Sequence, residues 1–481
     1  MSTFWIIPGI ALTTLIGWLI ARLLEGHTAV LYRWERWILG VVLGLTFTMF
    51  VTFLVHTTFA MPLNRTGYLF IQLAIVILLG IVFGIRKPES GIRVPLPKSN
   101  INRIPNSEFR IPIPLKIVII AFSIWTSIKI LSTGVTFLLL TPPFQGDTVD
   151  NWNLRGKMFF VDQAITLTIP NSEGIPLTGD VNSYPPTVPL VKASFSTLAG
   201  NWSEPLVNVI HLLWYLSALA LLFFSLRRVV GTLWALGGTY ILASLPLYLM
   251  HGTNPYADVY LSVHILAAVT LLFHALASED PDRRASFLRL SAFATALLPF
   301  TKNEALIMHT PAILLILAIA LWWMKRIGKM SLKDCIHTVL WYVLLLSAVT
   351  IPWIAYKWSH GLTFGNAQSL SNINLAWQPG VLKAIAKNTF LEGNWLLLFP
   401  LLLLLLIIQK RTAFKTPLLV LTGFFLIVYL GQFPLYMFTF LSTEALYQTG
   451  YARGIVQLAP TVVMIVTVLL FHCLQTERGK G

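Results

Sequence analysis

Long apolar blocks alternate along this chain with short polar segments. A block of roughly 18 or more apolar residues with few charges predicts a transmembrane helix. Lipid-embedded backbone needs internal hydrogen-bond partners, and these blocks are too long and too uniformly apolar for barrel strands. The pattern predicts an all-α, polytopic membrane protein of about thirteen transmembrane helices, at residues 3–23, 37–58, 67–85, 116–140, 205–226, 229–250, 257–277, 286–300, 307–324, 335–357, 392–409, 417–440 and 454–474.

The polar segments divide the chain into four parts. A three-helix membrane module (1–85) precedes a basic linker (86–115), whose repeated prolines discourage a long helix. A core (116–324) contains the polar segment 141–204, and the remaining helices (325–481) contain a second polar segment, 358–391. Loops longer than about 12–15 residues are usually functional or disordered. Because the first segment is rich in aromatic and charged residues, we expect it to be ordered and functional.

Charge distribution sets the predicted orientation. Only 11% of the residues are charged, against about 25% in a soluble protein, and the net charge is +15. The thirteen spans sort the connecting segments into two alternating sets, and one set holds 24 of the 34 Lys and Arg residues. This is the positive-inside signature. It predicts an outer N-terminus, a cytoplasmic C-terminus and an outer 141–204 loop, and it explains the basic excess without a nucleic-acid partner.

Charged residues gather at the predicted outer ends of the spans. Such groups beside hydrocarbon are costly and are usually functional or paired. Carboxylates next to cations suit transfer from an anionic lipid to a hydroxyl, with the cations holding a phosphate and a carboxylate taking the proton. The alternative is that they are ion pairs that fasten loops to helix ends. The residues concerned are Asp147, Asp150, Asp258, Lys302, Glu304 and Arg453.

The outer loop has a helical pattern of its own. Residues 148–163 can form a helix, with Asp147 as its N-cap. Trp152 and Met158 would give that helix an apolar flank suited to the membrane surface. Lys129 is the one candidate charge that lies within a span, where a shifted span boundary or snorkelling also explains it.

Five short motifs resemble a known family when taken in order. GDTVDNWNLRGK (146–157) and YPPTVPL (184–190) are similar to the first outer loop of bacterial GT-C glycosyltransferases, the relatives of the protein O-mannosyltransferases and aminoarabinose transferases. The later motifs are PYADV (255–259), TKNE (301–304), and YAR (451–453) with Pro460 seven residues on. The resemblance covers residues 116–460. Three spans precede the helix that leads into the loop, whereas better-known members begin with that helix, so the N-terminal module has no counterpart.

The resemblance implies an inverting enzyme that moves one sugar from a polyprenyl-phosphate-linked donor to a hydroxyl of a lipid, glycan or protein acceptor. Its active site would face away from the cytoplasm, in a bacterial plasma membrane. Asp147 inherits the general-base role, Asp150 ranks second, and Asp258 would orient the acceptor or support a metal. No cofactor is assigned, although a divalent cation fits the second acidic position. The donor-phosphate candidates are Lys302, Arg453, Arg155 and Lys157, and the substrate-binding candidates are Glu304, Trp152, Tyr184 and Tyr256.

Two rival functions remain open from the sequence. An oligosaccharide ligase or polymerase would also use lipid-linked glycans, but it would transfer whole oligosaccharides. A transporter or flippase would need charge at mid-membrane depth and paired repeats. Trp152 and Tyr184 are more typical of interface anchors than of sugar platforms, since aromatic residues favour the membrane interface in any case.

Overall fold

The computed structural model describes residues 2–86, 113–143, 146–167, 169–170, 176–177, 180–363 and 376–478. Nearly all of the linker and residues 364–375 of the second polar segment lie outside these ranges. The predicted all-α class is confirmed for the described residues, whose only strands are the two-residue antiparallel pair β1 (Ile169–Pro170) and β2 (Pro176–Leu177).

Twenty α-helices are described. Short 3-10 or π turns extend several of them, as at Val135–Leu140, Asp147–Asn153, Leu298–Phe300, Ala305–His309, Lys387–Leu391 and Gly393–Trp395. The helices are α1 (Ile6–Glu25), α2 (Arg33–Phe59), α3 (Arg65–Arg86), α4 (Ile113–Gly134), α5 (Leu154–Asp162), α6 (Asp180–Ser183), α7 (Thr187–Ala199), α8 (Glu204–Ser244), α9 (Pro246–Gly252), α10 (Asp258–Ala277), α11 (Pro281–Leu297), α12 (Thr310–Arg326), α13 (Leu332–Ser359), α14 (Val381–Ala386), α15 (Leu398–Ile408), α16 (Lys410–Ala413), α17 (Leu419–Gly431), α18 (Phe433–Phe438), α19 (Ser442–Leu446) and α20 (Gly450–Arg478).

The number of spans differs from the predicted thirteen. Among the described residues, ten helices are long and apolar enough to cross a membrane, or eleven if one bent pair counts as a span. That pair, Val381–Trp395 and Leu398–Ile408, bends by 112°. The predicted span 286–300 falls on α11, which has 17 residues. The predicted span 229–250 falls on the second part of α8, together with the short α9. The count of thirteen is therefore not confirmed.

Helix α8 reverses direction at Gly231. This residue has φ 81° and ψ 173°, a conformation open essentially only to glycine. The ring of Tyr215, on the first part of α8, lies 5.7 Å from that of Tyr248, on the helix α9 that follows α8. A Cβ on Gly238 would lie 2.5 Å from Leu226. The chain therefore forms two antiparallel arms where the sequence predicts two spans.

Close glycine contacts join the first two helices. A Cβ on Gly17 would lie 2.3 Å from the carbonyl oxygen of Gly40, and one on Gly44 would lie 2.3 Å from that of Thr13. Small residues of this kind let helix backbones approach within a membrane. At the other end of this pair, Arg36 forms a 2.8 Å ion pair with buried Glu25.

Helix α10 lies at the centre of the bundle. All its residues from Asp258 to Leu276 are buried, and it packs against α8, α11 and α20. A helix that is apolar on every side is typical of a bundle core. Because this helix begins with Asp258, the fold places a carboxylate at the buried edge of the core.

Candidate active site

Asp258 is the centre of a charged cluster at one end of the bundle. Its side chain is 0% exposed, and as the first residue of α10 it benefits from the positive end of the helix dipole. Lys302 Nζ donates to Oδ1 at 2.9 Å, Gln457 Nε2 donates to Oδ1 at 3.1 Å, and Arg453 Nε donates to Oδ2 at 3.0 Å. His251 Nδ1 lies 3.2 Å from Oδ2. These neighbours allow a carboxylate to be buried as an ion.

Arg453 joins this buried acid to the outer loop. Its Nη1 lies 2.5 Å from Asp147 Oδ2, while its Nε holds Asp258. The guanidinium carbon lies 5.4 Å from the centre of the Tyr256 ring, a cation–π distance. The Asp147 side chain is 45% exposed and that of Arg453 is 27% exposed, so both can meet a ligand from the surface.

Lys302 is the buried cation of the cluster. Its Nζ lies 2.9 Å from Asp258 Oδ1 and 3.0 Å from Glu304 Oε1. Burial acts to lower the pKa of Lys302, but attraction to Asp258 and Glu304 outweighs it, so the pKa is raised. Lys302 therefore keeps its positive charge. Glu304 Oε2 is buried and has no hydrogen-bond partner among the described residues.

Asp147 lies on a helix whose start differs from the prediction. The helix covers 147–162, with a π turn over Asp147–Asn153 followed by α5, which confirms the predicted loop helix. The N-cap prediction is wrong: Asp147 is inside the first turn, the residue before it is Gly146, and the carboxylate reaches Arg453 instead of a backbone N–H. Thr148 Oγ1 donates to the Pro255 carbonyl at 3.1 Å, which fixes this turn beside α10.

Two of the predicted phosphate ligands lie apart from the cluster in the described structure. Arg155 is 1% exposed and donates to Asn151 Oδ1 at 3.0 Å and to the Tyr184 carbonyl at 3.1 Å. Burial lowers the pKa of Arg155 to about 10. Lys157 is exposed, as is Asp150, and neither has an ion pair within the described ranges. Arg155 therefore stabilises the loop through hydrogen bonds within it.

The three predicted aromatic ligands have different surroundings. Trp152 is 1% exposed and packs edge-on against Tyr184, with 5.7 Å between ring centres. Its burial makes it an anchor. Tyr184 is partly buried, and the charge of Glu304, followed by burial, raises its pKa. Tyr256 is half-buried. Its ring stacks on the His251 ring, with 4.4 Å between ring centres, and Arg453 lies over it. Tyr256 and Tyr184 therefore line the cluster.

Sequence reasoning missed three residues of the cluster. Gln457 lies four residues after Arg453, and this i, i+4 spacing on one helix could have identified it. His251 flanks the Asp258 segment with His264, and the sequence allows either a metal pair or, more simply, ordinary polar packing; it does not indicate the contact of His251 with Asp258. Glu444 lies against the start of α20, where a Cβ on Gly450 would lie 1.5 Å from its Oε2. Burial raises the pKa of Glu444, and nearby Asp147 acts in the same direction. No sequence signal marks Glu444.

The cluster is poorly suited to a metal. Among the described residues, no group of three or more His, Cys, Asp or Glu side chains is arranged to hold one. Both oxygens of Asp258 are already occupied by Lys302 and Arg453. What the arrangement offers is an accessible carboxylate, Asp147, beside two fixed cations. Such a site can bind an anionic group and accept a proton next to it.

The protein is therefore an integral multi-pass membrane protein with a charged site at one end of its helical bundle. It has the fold of the GT-C membrane glycosyltransferases. No protein-family model matches the sequence, and no curated protein matches it. Two solved structures share the fold: ArnT from Cupriavidus metallidurans in the apo state (TM-score 0.52, 15% identity) and the same protein bound to undecaprenyl phosphate (TM-score 0.51, 14% identity). Each comparison covers 74% of this chain and 60% of the ArnT chain.

Proposed function

We propose that this protein is an inverting glycosyltransferase that moves one sugar from a polyprenyl-phosphate-linked donor to a hydroxyl of a lipid, glycan or protein acceptor. The observation that carries the proposal is the continuous chain of ion pairs from Asp147 through Arg453 and Asp258 to Lys302, at the rim of a GT-C bundle. One of the similar structures is bound to undecaprenyl phosphate, which supports a donor of this lipid class.

The resting ion pairs suggest how the site would work. Arg453 would bind the donor phosphate, and this new anion would compete with Asp147 for the guanidinium. Asp147, released from its cation, would take the proton of the acceptor hydroxyl. The hydroxyl oxygen would then attack the anomeric carbon, and the bond from that carbon to the phosphate oxygen would break. Arg453 and Lys302 would stabilise the charge that develops on the leaving phosphate.

Asp258 would hold the side chains of Lys302 and Arg453 in position. It is fully buried and bonded to Lys302 and Arg453, so it does not meet solvent in this arrangement. A carboxylate that fixes cations before substrate arrives reduces the reorganisation needed during the reaction. Glu304, Tyr184 and Tyr256, which border the same cluster, would contact the sugar or the acceptor. Asp150, Arg155 and Lys157 have no part in this scheme.

The site would face away from the cytoplasm. By the predicted span order, the basic residues fall mainly on the connecting segments of the opposite side, which supports this orientation by the positive-inside rule. Asp147, Asp258, Lys302, Glu304 and Arg453 were all expected on one side, and they form one cluster. Their proximity supports the assignment of these helix ends to a common face.

Replacement of Asp147 by Asn tests the proposed base. The change keeps the shape of the side chain but removes its ability to take a proton, so turnover should fall by at least about 100-fold. The assay follows release of undecaprenyl phosphate from an undecaprenyl-phosphate-linked sugar by mass spectrometry, with membrane lipid extract as the acceptor.

The matched control is Asp162→Asn, at an exposed acid at the far end of the same loop helix. It should retain the wild-type rate, and both variants should extract from the membrane as folded protein. Near-normal turnover by Asp147→Asn would contradict the assignment of the base.

A further inference from the structure

The N-terminal helices contact three segments that carry or adjoin charges of the candidate site. These helices, α1 to α3, have no counterpart in the family resemblance, and the proposed chemistry does not use them. They nevertheless reach the start of α10, the turn before Lys302 and the helix that carries Asp147. The contacts are specific enough to suggest a role beyond filling space in the membrane.

The first contact is a buried polar one between α2 and α10. Thr46 Oγ1 lies 2.9 Å from the Tyr260 hydroxyl and 2.8 Å from His264 Nε2, and all three residues are buried. His264 Nδ1 lies 2.8 Å from the Tyr260 carbonyl, which can only accept, so Nδ1 carries the proton. In the neutral ring Nε2 can then accept from Thr46, whose oxygen accepts from Tyr260 and also lies 3.1 Å from the Val42 carbonyl within α2. One hydroxyl thus satisfies two buried groups of α10, two and six residues beyond Asp258.

The second contact is aromatic and lies next to Lys302. The ring of Phe300 packs edge-on against Phe50 at 5.1 Å and also contacts Phe53 at 5.3 Å. Both of these partners are on α2, and Phe300 ends the 3-10 turn two residues before Lys302. Aromatic pairs at these distances contribute beyond the area that they bury. Helix α2 therefore supports the segment that presents the buried cation.

The third contact holds the Asp147 helix at its far end. Leu63 N donates to the Gln163 carbonyl at 2.8 Å, immediately after α5 ends. Ile165 N donates to His56 Nε2 at 3.2 Å, and His56 Nδ1 lies 2.7 Å from the Met61 carbonyl. The end of α2 and its connection to α3 thereby fix the position of residues 163–165, which follow the loop helix.

We infer that helices α1–α3 are a positioning element of the site, and that Thr46 and His56 are positioning residues that act through α10 and the loop helix. In a membrane, apolar packing alone gives neighbouring helices little preference for one depth or rotation, because lipid is as apolar as the helices. A buried hydrogen bond supplies that preference. Thr46 would fix the depth of α10, and with it the position of Asp258 relative to Arg453 and Lys302. The inference rests on the proposed function only where it concerns activity.

A matched set of substitutions on α2 tests this role. Thr46→Val keeps the volume but removes the hydroxyl, and Thr46→Ser keeps the hydroxyl. Thr48→Val is the control, because Thr48 is equally buried on the same helix but, among the described residues, donates only to the Gly44 carbonyl. Hydrogen exchange of the whole protein in nanodiscs is measured over residues 257–264. We expect Thr46→Val to speed exchange there about tenfold, the order expected when buried groups lose their partners. Thr46→Ser and Thr48→Val should match the wild type.

Binding and activity provide the second readout. Undecaprenyl phosphate is the probe, and its affinity is measured by native mass spectrometry alongside the transfer assay. Thr46→Val should lower kcat more than tenfold while changing KM for the donor less than threefold, with Thr46→Ser restoring kcat. Equal exchange and equal kinetics for Thr46→Val and Thr48→Val would overturn the inference.

Failure of the proposed function would be recognised separately. If the wild type neither binds undecaprenyl phosphate nor transfers sugar, the proposed function fails. The hydrogen-exchange result would still decide whether Thr46 positions α10.

His56→Ala tests the loop contact separately, should Thr46→Val fail to fold. It removes the acceptor of the Ile165 N–H at a partly exposed position. We expect faster exchange at residues 163–166 and a loss of kcat, with no change at residues 257–264. Unchanged exchange at 163–166 would contradict the loop part of the inference.

Discussion

At the scale of single residues, the site depends on how one buried acid is satisfied. Asp258 is tolerated at zero exposure because two cations and an amide bond to it. The motifs identified Asp258, Lys302 and Arg453 as candidates, since charged residues at apolar helix ends are unusual. The pairing itself was beyond sequence reasoning: Arg453 is 195 residues from Asp258, and nothing local in the chain indicates that they meet.

Lys192 gives the stability of the protein a predicted pH dependence. It is fully buried on α7, where it donates to Asn208 Oδ1 at 2.9 Å and also bonds Asn153. Burial lowers its pKa from 10.5 to about 7, although Glu204 partly opposes this. Because the folded-state pKa is below the unfolded one, the unfolded chain binds more protons between these values. The free energy of unfolding should therefore rise with pH from about 7 to 10.5, by up to about 1.4 kcal/mol per pH unit from this group.

Thermal unfolding in detergent between pH 7 and 10 checks this slope. Lys192→Met should remove the contribution, so the difference between variant and wild type should change with pH. Lys157→Met, at an exposed position of the neighbouring loop helix, should keep the wild-type slope. A constant difference between Lys192→Met and wild type across the range would show that Lys192 does not titrate there.

At the scale of elements, long apolar helices were predictable and breaks within them were not. The loop helix followed from its sequence pattern, but its first turn was misjudged, because the Asp147 carboxylate pairs with a distant arginine in preference to a cap. The bend between Val381–Trp395 and Leu398–Ile408 likewise depends on tertiary packing. By contrast, the two spans predicted on either side of Arg227-Arg228 correspond to the two arms of α8, because a polar pair between apolar blocks is typical of a turn at the membrane surface.

Gly231 allows the arms of α8 to reverse, and its replacement should be costly. Gly231→Ala places a side chain at φ 81°, which costs on the order of 1–3 kcal/mol or straightens the turn. We expect a lower melting temperature and less folded protein after extraction, measured by fluorescence-detected size exclusion. Gly237→Ala is the control, because a Cβ there meets no atom within 4 Å and alanine favours a helix. If both variants were equally stable, the turn would not depend on the glycine conformation.

At the scale of the whole molecule, the motif order predicted the GT-C fold, and the structural similarity to ArnT confirms it. The packing of the N-terminal helices could not be predicted, because their contacts with α10 and the loop helix join residues more than 100 positions apart. Hydropathy predicted thirteen spans, and the described helices do not confirm that count, since hydropathy cannot separate short or bent helices from complete ones.

The orientation of the molecule can be measured directly. With the native cysteines replaced by serine, Asp162→Cys and Lys410→Cys place single thiols at exposed positions of the two predicted faces. In intact cells an impermeant maleimide should label position 162, while position 410 should react only after permeabilisation. Reversed labelling would mean that the charge asymmetry was assigned to the wrong side.

The most direct test of the central claim is mass spectrometry of the lipids that co-purify with the protein. The proposed site predicts that wild-type protein carries a polyprenyl phosphate or its sugar-linked form, and that Arg453→Met loses it because the phosphate loses its accessible cation. Arg411→Met, at an exposed position on the opposite predicted face, should retain the lipid. Absence of any polyprenyl phosphate from the wild type, or its equal retention by Arg453→Met, would contradict the account.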